Sequence, residues 1–502
     1  MTGLRVDQGA VGQRLRVPRL WTVVLLMPVS WLLFVQFAAV AAAAEPGPGS
    51  GGFDADFVGK TMRLDYYHSG NAQEDRIALD RVVADGPWAG SRTNLVDALD
   101  LGQYCFEVRD AGTHRLLYSR GFCSVFGEWQ TTAPARREWG TFHESLRFPW
   151  PKQAVQIVLK RRVDGVWREL WTTTLDPRSP VVVDAPAATA YATWSVQEHG
   201  DASEKVDVVI LGDGYTAAEV ERFRATVRQL TAKLFEQEPF RSRQTDFNIR
   251  AIDVPSAASG VNCPHQGISV RSPLSCQYDI FGTARYVLTF DNRTLRDVAS
   301  TVPYDCAVIL VNGRTHGGGG IYNDQATVCA ESPTADYVFI HEFGHLFAGL
   351  ADEYYTAPVA YETDGPPTCE PWEPNITALL DPAQLKWRDL VEAGVPLPTP
   401  WNKEAYEGAS RSAGTSPKTT RADGDAAEPS GAQPAGKPVT AREALAASAH
   451  VGKVGAFEGA AYRHKGLYRP SIDCVMFSRH GNSFCPVCRR AIERVIDQHT
   501  KR

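Results

Sequence analysis

Two histidines four residues apart, His341 and His345, with Glu342 directly after the first, form an HExxH pattern inside an apolar run. Residues four apart share one face of an α-helix, so both imidazoles can reach a single tetrahedral Zn²⁺. Glu342 then serves as general base toward a metal-activated water, which is the chemistry of peptide-bond hydrolysis. Phe339, Ile340, Phe343, Leu346 and Phe347 give the helix the apolar surface of one that crosses a domain core. Gly344, between the two ligands, permits a close neighbour.

A catalytic zinc takes three protein ligands and keeps one position open. The carboxylates that follow are Asp352 and Glu353. In an unbroken helix Asp352 would lie about 10 Å from His345 along the axis, so the helix must stop and the chain must return. Gly349 is placed to end it in the left-handed conformation. Asp352 is the expected third ligand, with Glu353 the alternative.

The elements that must position these residues read as follows. Arg5, Arg14, Arg16 and Arg19 precede an apolar run from Leu20 to Val40 and the small residues Ala41 to Ala44. This is the pattern of a secretory signal peptide over residues 1–44, cleaved after Ala44, and it predicts a secreted or periplasmic protein. Left uncleaved, the run is long enough to anchor the chain in the cell envelope. Residues 53–180 alternate apolar and polar positions in short runs, predicting an antiparallel β-sandwich; Val155 to Trp171, turning at Asp164 and Gly165, is its clearest hairpin.

Residues 204–499 read as the catalytic domain, α/β in character. Strands are expected at Val206–Leu211, Phe247–Ile252 and Ala307–Val311, and Thr216 with Glu219 forms a capping box before a helix. Four glycines, Gly317 to Gly320, are read either as a mobile loop or as a strand edge to which an extended peptide adds. Residues 404–440 hold hardly any large apolar side chain and read as a disordered insertion. The fold class predicted is therefore α+β multidomain, a β-sandwich followed by a zincin-like or metzincin-like α/β domain.

A formal net charge of −6 leaves no electrostatic footprint for nucleic acid. Ten cysteines, an even number, suit an oxidising compartment, and sequence neighbours suggest Cys105 with Cys123, Cys263 with Cys276 and Cys306 with Cys329. Cys485 and Cys488 have the CxxC spacing of a redox pair or half a zinc ribbon; with no second CxxC, a disulfide is the expected use.

The continuation from His345 through Gly349 to Asp352 resembles the metzincin clan, although this chain has three residues rather than two before the glycine. Met476 then occupies the place of that clan's methionine turn. Several further segments, taken in order, resemble the bacterial IgA peptidase family of zinc metallopeptidases. They are Gly86 to Asn94, Phe126 to Trp129, Ile210 to Thr216, His341 to Tyr354, Phe457 to Tyr462, Gly466 to Pro470 and Phe484 to Cys488. The resemblance implies an N-terminal β-sandwich and a zinc-dependent endopeptidase acting on protein or peptide substrates. Tyr462 or Tyr468, from the far C-terminal segment, would donate to the tetrahedral oxyanion. The alternative is a catalytically silent surface protein that binds carbohydrate or protein and keeps a vestigial site.

Overall fold

A computed structural model describes residues 52–185, 191–355, 367–412, 440–479 and 483–501. Residues 1–44, read from the sequence as a signal peptide, lie outside the described residues. Among those described, no helix is long and apolar enough to cross a membrane.

The chain is a mixed α/β protein whose N-terminal part is mostly strand. Apart from the short helices α1 (Phe53–Asp56) and α2 (Val125–Gln130), that part consists of β1 (Phe57–Gly70), β2 (Asp75–Pro87), β3 (Tyr104–Asp110), β4 (Leu116–Phe122), β5 (Gly140–Pro151), β6 (Val155–Val163), β7 (Val166–Leu175) and β8 (Val182–Asp184). They form two four-stranded sheets, ordered β5-β1-β2-β8 and β4-β3-β6-β7. Alternate residues point to one face of a strand. Met62, Leu64 and Tyr66 of β1 thus share a core with Phe106, Val108, Ile157 and Leu159 of the other sheet. The β6–β7 hairpin closes with Val163 opposite Val166, and Asp164 and Gly165 both take positive φ, the turn that matches strand twist.

The second part is built on a six-stranded sheet. Its elements are β9 (Thr193–Gln197), β10 (Val206–Asp213), α3 (Val220–Leu234), β11 (Phe247–Ile252), α4 (Asn292–Ala299), β12 (Cys306–Val311), β13 (Gly318–Ile321), β14 (Gln325–Cys329) and α5 (Ala335–Ala348). The strand order is β13-β14-β12-β10-β11-β9, with the four inner strands parallel and both outer strands antiparallel. Inner strands are covered on both faces, which is why β10 is buried at every position. Val208 and Ile210 join the core of α3 and α5, whereas Val209 and Leu211 pack with Leu295 and Val298 of α4. The capping box expected at Thr216 is present, and Thr216 N–H donates to the Glu219 carboxylate at 2.9 Å.

The C-terminal elements are α6 (Lys403–Ser412), α7 (Ala441–Ala446), β15 (Phe457–Ala460), β16 (Arg463–Arg469) and α8 (Pro486–Thr500). Composition predicted no order over 404–440, yet residues up to Ser412 are helical. Tyr406 accounts for the difference, since its ring meets Trp401 and Phe477 with centroids 5.7 and 5.4 Å away. The stretch 413–439 lies outside the described residues.

The structure joins none of the ten cysteines in a disulfide. For Cys306 and Cys329 the reason is register. Parallel pairing puts Val311 beside Cys329, leaving Cys306 at the other end of β12, about 16 Å away at the usual strand rise.

The glycine run is the edge strand β13, not a loop. Its glycines let it lie against α5: a Cβ at Gly320 would come within 2.5 Å of the Glu342 carbonyl and 2.8 Å of the His345 Cβ. Replacing Gly320 by Ala therefore forces strand and helix apart. The expected cost is about 1–3 kcal/mol in urea unfolding, the range of an overpacked core.

Candidate active site

Helix α5 ends because Gly349 adopts φ 59° and ψ 30°. Gly349 N–H donates to the His345 carbonyl at 3.1 Å and Leu350 N–H to the Gly344 carbonyl at 3.4 Å, turning the chain back on the helix. Asn375 then clamps the returning segment, accepting from Ala351 N–H at 2.8 Å and donating to the Ala351 carbonyl at 2.9 Å. Glu353 N–H donates to the Met476 carbonyl at 2.8 Å. Asp352 contacts the histidines, while Glu353 is wholly buried against Asn375 and Cys488.

His341 Nε2 lies 3.0 Å from Asp352 Oδ1 and 3.1 Å from His345 Nε2; His345 Nε2 lies 3.3 Å from the same Asp352 oxygen. Tetrahedral zinc with ligand bonds of about 2.0–2.2 Å needs ligand atoms about 3.3–3.5 Å apart, so this triangle closes on such an ion with shifts of a few tenths of an ångström. The other ring nitrogens fix the tautomer. His341 Nδ1 donates to the Val475 carbonyl at 3.2 Å and His345 Nδ1 to the Leu350 carbonyl, which leaves both Nε2 lone pairs for a metal. Met476 is fully buried below: a Cβ at Gly344 would sit 3.1 Å from its Sδ.

Charge within the cluster is strongly coupled. Burial works to raise the Asp352 carboxyl, but the His345 and His341 rings outweigh it and hold the group well below the usual carboxylate range. Burial would lower the His345 imidazole; the Asp352 carboxylate overrides it and lifts the ring to about 9. The Glu342 carboxyl is pushed above its ordinary value by burial, with the two histidines partly opposing the shift. These groups line a cavity of about 350 Å³ together with Gly318 to Ile321, Arg285, Tyr354, Tyr462 and Trp372. Gln103, Glu128 and Thr131 of the N-terminal part line the same cavity.

Of the two tyrosines singled out in the sequence, Tyr462 reaches the site and Tyr468 does not. Tyr468 sits in β16 with its backbone bonded to Thr377, away from the cavity. The Tyr462 hydroxyl donates to Asp352 Oδ2. Behind it, Tyr354 and Tyr462 hydroxyls are 3.2 Å apart, and Arg285 Nη2 donates to the Tyr354 hydroxyl at 3.2 Å. A hydroxyl has one proton, and that of Tyr462 is spent on Asp352. Tyr354 must therefore donate to Tyr462, and the relay runs in one direction from Arg285 to Asp352.

Sequence reasoning missed Arg285 and the relay. Arg285 lies in an irregular stretch well upstream of the motif, with no spacing to mark it. The β15–β16 turn was equally silent, because its two central residues, Ala461 and Tyr462, take φ 45° and 62° without a glycine. Such positive φ is uncommon outside glycine and persists where surroundings enforce it. Here Ala461 N–H bonds the Asp352 carbonyl at 3.0 Å and Tyr462 N–H the Tyr354 carbonyl at 3.1 Å.

Two imidazoles and a returning carboxylate around one point, with a half-buried glutamate beside them, form a donor set of the metallopeptidase type. The comparison with known families agrees. Residues 194–496 match the family model described as IgA peptidase M64, and residues 52–171 match that described as the peptidase M64 N-terminus. The chain belongs to the IgA peptidase M64 family, a peptidase family whose substrates are proteins or peptides. No curated protein matches the chain.

The Gly349 reversal has a direct test. A Cβ there would approach the Trp372 ring to 2.8 Å and would occupy the left-handed region. Gly349→Ala is expected to cost about 1–2 kcal/mol in thermal or urea unfolding. Because Asp352 moves with the turn, the variant should also bind a divalent metal ion more weakly in a competition titration against a chromophoric chelator.

Proposed function

We propose that the protein is an exported zinc-dependent endopeptidase in which His341, His345 and Asp352 hold the ion and Glu342 is the general base. The observation that carries the reading is the triangle of 3.0, 3.1 and 3.3 Å among the two Nε2 atoms and Asp352 Oδ1, opening on the cavity that Glu342 also lines. Zinc, when bound, supplies a Lewis acid and a lowered water pKa.

The chain's own residues do the rest. Glu342 takes a proton from the attacking water and passes it to the leaving amine, and burial raises its carboxyl above the ordinary value, the direction that favours holding the proton between the two steps. Tyr462, once relieved of Asp352 by the ion, is positioned to donate to the developing oxyanion. Gly320 is the one position of β13 that is not fully buried, and it lines the cavity. An extended peptide pairing with this edge by main-chain hydrogen bonds would run past the histidines. That geometry supports cleavage within a chain.

Glu342→Gln should keep its zinc, measured by elemental analysis, and lose cleavage of a denatured protein substrate by about 10²–10⁴-fold. Equal cleavage by the variant would overturn the mechanism, and a zinc-loaded wild type that cleaves nothing would instead indicate a binding protein. Tyr462→Phe should lower kcat about 10²-fold with little change in KM, the signature of a contact made only in the transition state. Export rests on residues 1–44: N-terminal sequencing of the protein recovered from its native host should begin at Glu45.

A further inference from the structure

On the far side of the returning segment, Glu353 is fully buried among three cysteines. Cys474 lies two residues before Met476, Cys485 caps α8 and Cys488 sits in its first turn. One ligand atom from each of the four lies within 4.8 Å of every other. Cys474 Sγ and Cys488 Sγ are 3.9 Å apart, and Cys488 Sγ is 3.2 Å from Glu353 Oε1. A tetrahedral zinc with Zn–S bonds of about 2.3 Å sets its sulfur atoms about 3.8 Å apart.

The carboxylate points to a missing partner as well. Glu353 Oε1 accepts from Asn375 Nδ2 at 3.1 Å, but Oε2 has no hydrogen-bond partner among the described residues, although Glu353 is 0% exposed. An isolated buried carboxylate is costly, and a cation in the cluster removes that cost. Arg469, also fully buried, lies near enough to Glu353 to offset part of the negative charge of three thiolates and a carboxylate.

We infer that Glu353, Cys474, Cys485 and Cys488 form a second, structural zinc site beneath the candidate catalytic one. Four protein ligands with no cavity-lining member describe a closed site, and thiolate-rich ligation favours zinc over magnesium, calcium or manganese. The ion ties together three separate segments: the return after Gly349, the turn carrying Met476 and the start of α8. It also replaces the expected disulfide with metal-bound thiolates. A disulfide between any two of the cysteines would leave the third thiol and Glu353 without a counterpart.

The test needs the peptidase site emptied, so that failure of either assignment can be told apart. The full chain carrying His341→Ala and His345→Ala is purified, and its zinc is measured against wild type. About two equivalents are expected in wild type and about one in the double variant. The cobalt(II)-loaded double variant should show thiolate-to-metal charge-transfer absorption, which adding Cys488→Ser abolishes. Should Cys488→Ser fail to fold, the metal count and cobalt spectrum of the double variant decide alone. A double variant that holds no zinc and shows no charge-transfer band overturns the proposal. So does non-reducing peptide mapping of the wild type that finds two of the three cysteines covalently joined.

Discussion

Reversal of the chain at Gly349 is the constraint on which both halves of this centre depend. A helix can bring two histidines to one point but cannot bring a third ligand from farther along its own axis. Left-handed backbone at Gly349 breaks that limit, and the clamp from Asn375 together with the Glu353–Met476 bond holds the returned strand against the helix. The returned segment then presents two adjacent acids to different partners. Asp352 meets the histidines, and Glu353 meets the cysteines. One turn thus organises two clusters, and the wall between them is a single strand of backbone.

What was readable in the residues follows from how local each feature is. The HExxH face, the capping box at Thr216, the hairpin at Asp164 and the inner strands β10 and β12 depend on neighbours within a few positions, so their periodicity shows in the chain. The choice between Asp352 and Glu353 hung on how one returned segment is oriented, which residue types cannot report. Arg285 and Tyr354 were silent for another reason: the relay joins segments distant in sequence, through single residues that carry no pattern.

The cysteines mark the same boundary from the other side. Nearness in sequence suggested pairs, but parallel strands return through the sheet in the same direction, which separates Cys306 from Cys329 by the length of a strand. Conversely Cys474 and Cys488 meet through tertiary packing around Glu353. A CxxC read in isolation has no means of including a glutamate more than a hundred residues upstream.

The glycine composition of β13 carries a consequence for recognition. Gly318 and Gly320 are bare because α5 approaches closely and Gly319 because Tyr286 does, yet the same bareness faces the cavity. A rail of this kind, on the proposed reading, would engage a peptide through its amides and be blind to which residues those amides belong to. Discrimination would then fall to the side chains that share the cavity, among them Gln103, Glu128 and Thr131 of the N-terminal part and Trp372. In that division of labour the strand-rich half would read the sequence, while the half that bears the histidines would supply the chemistry.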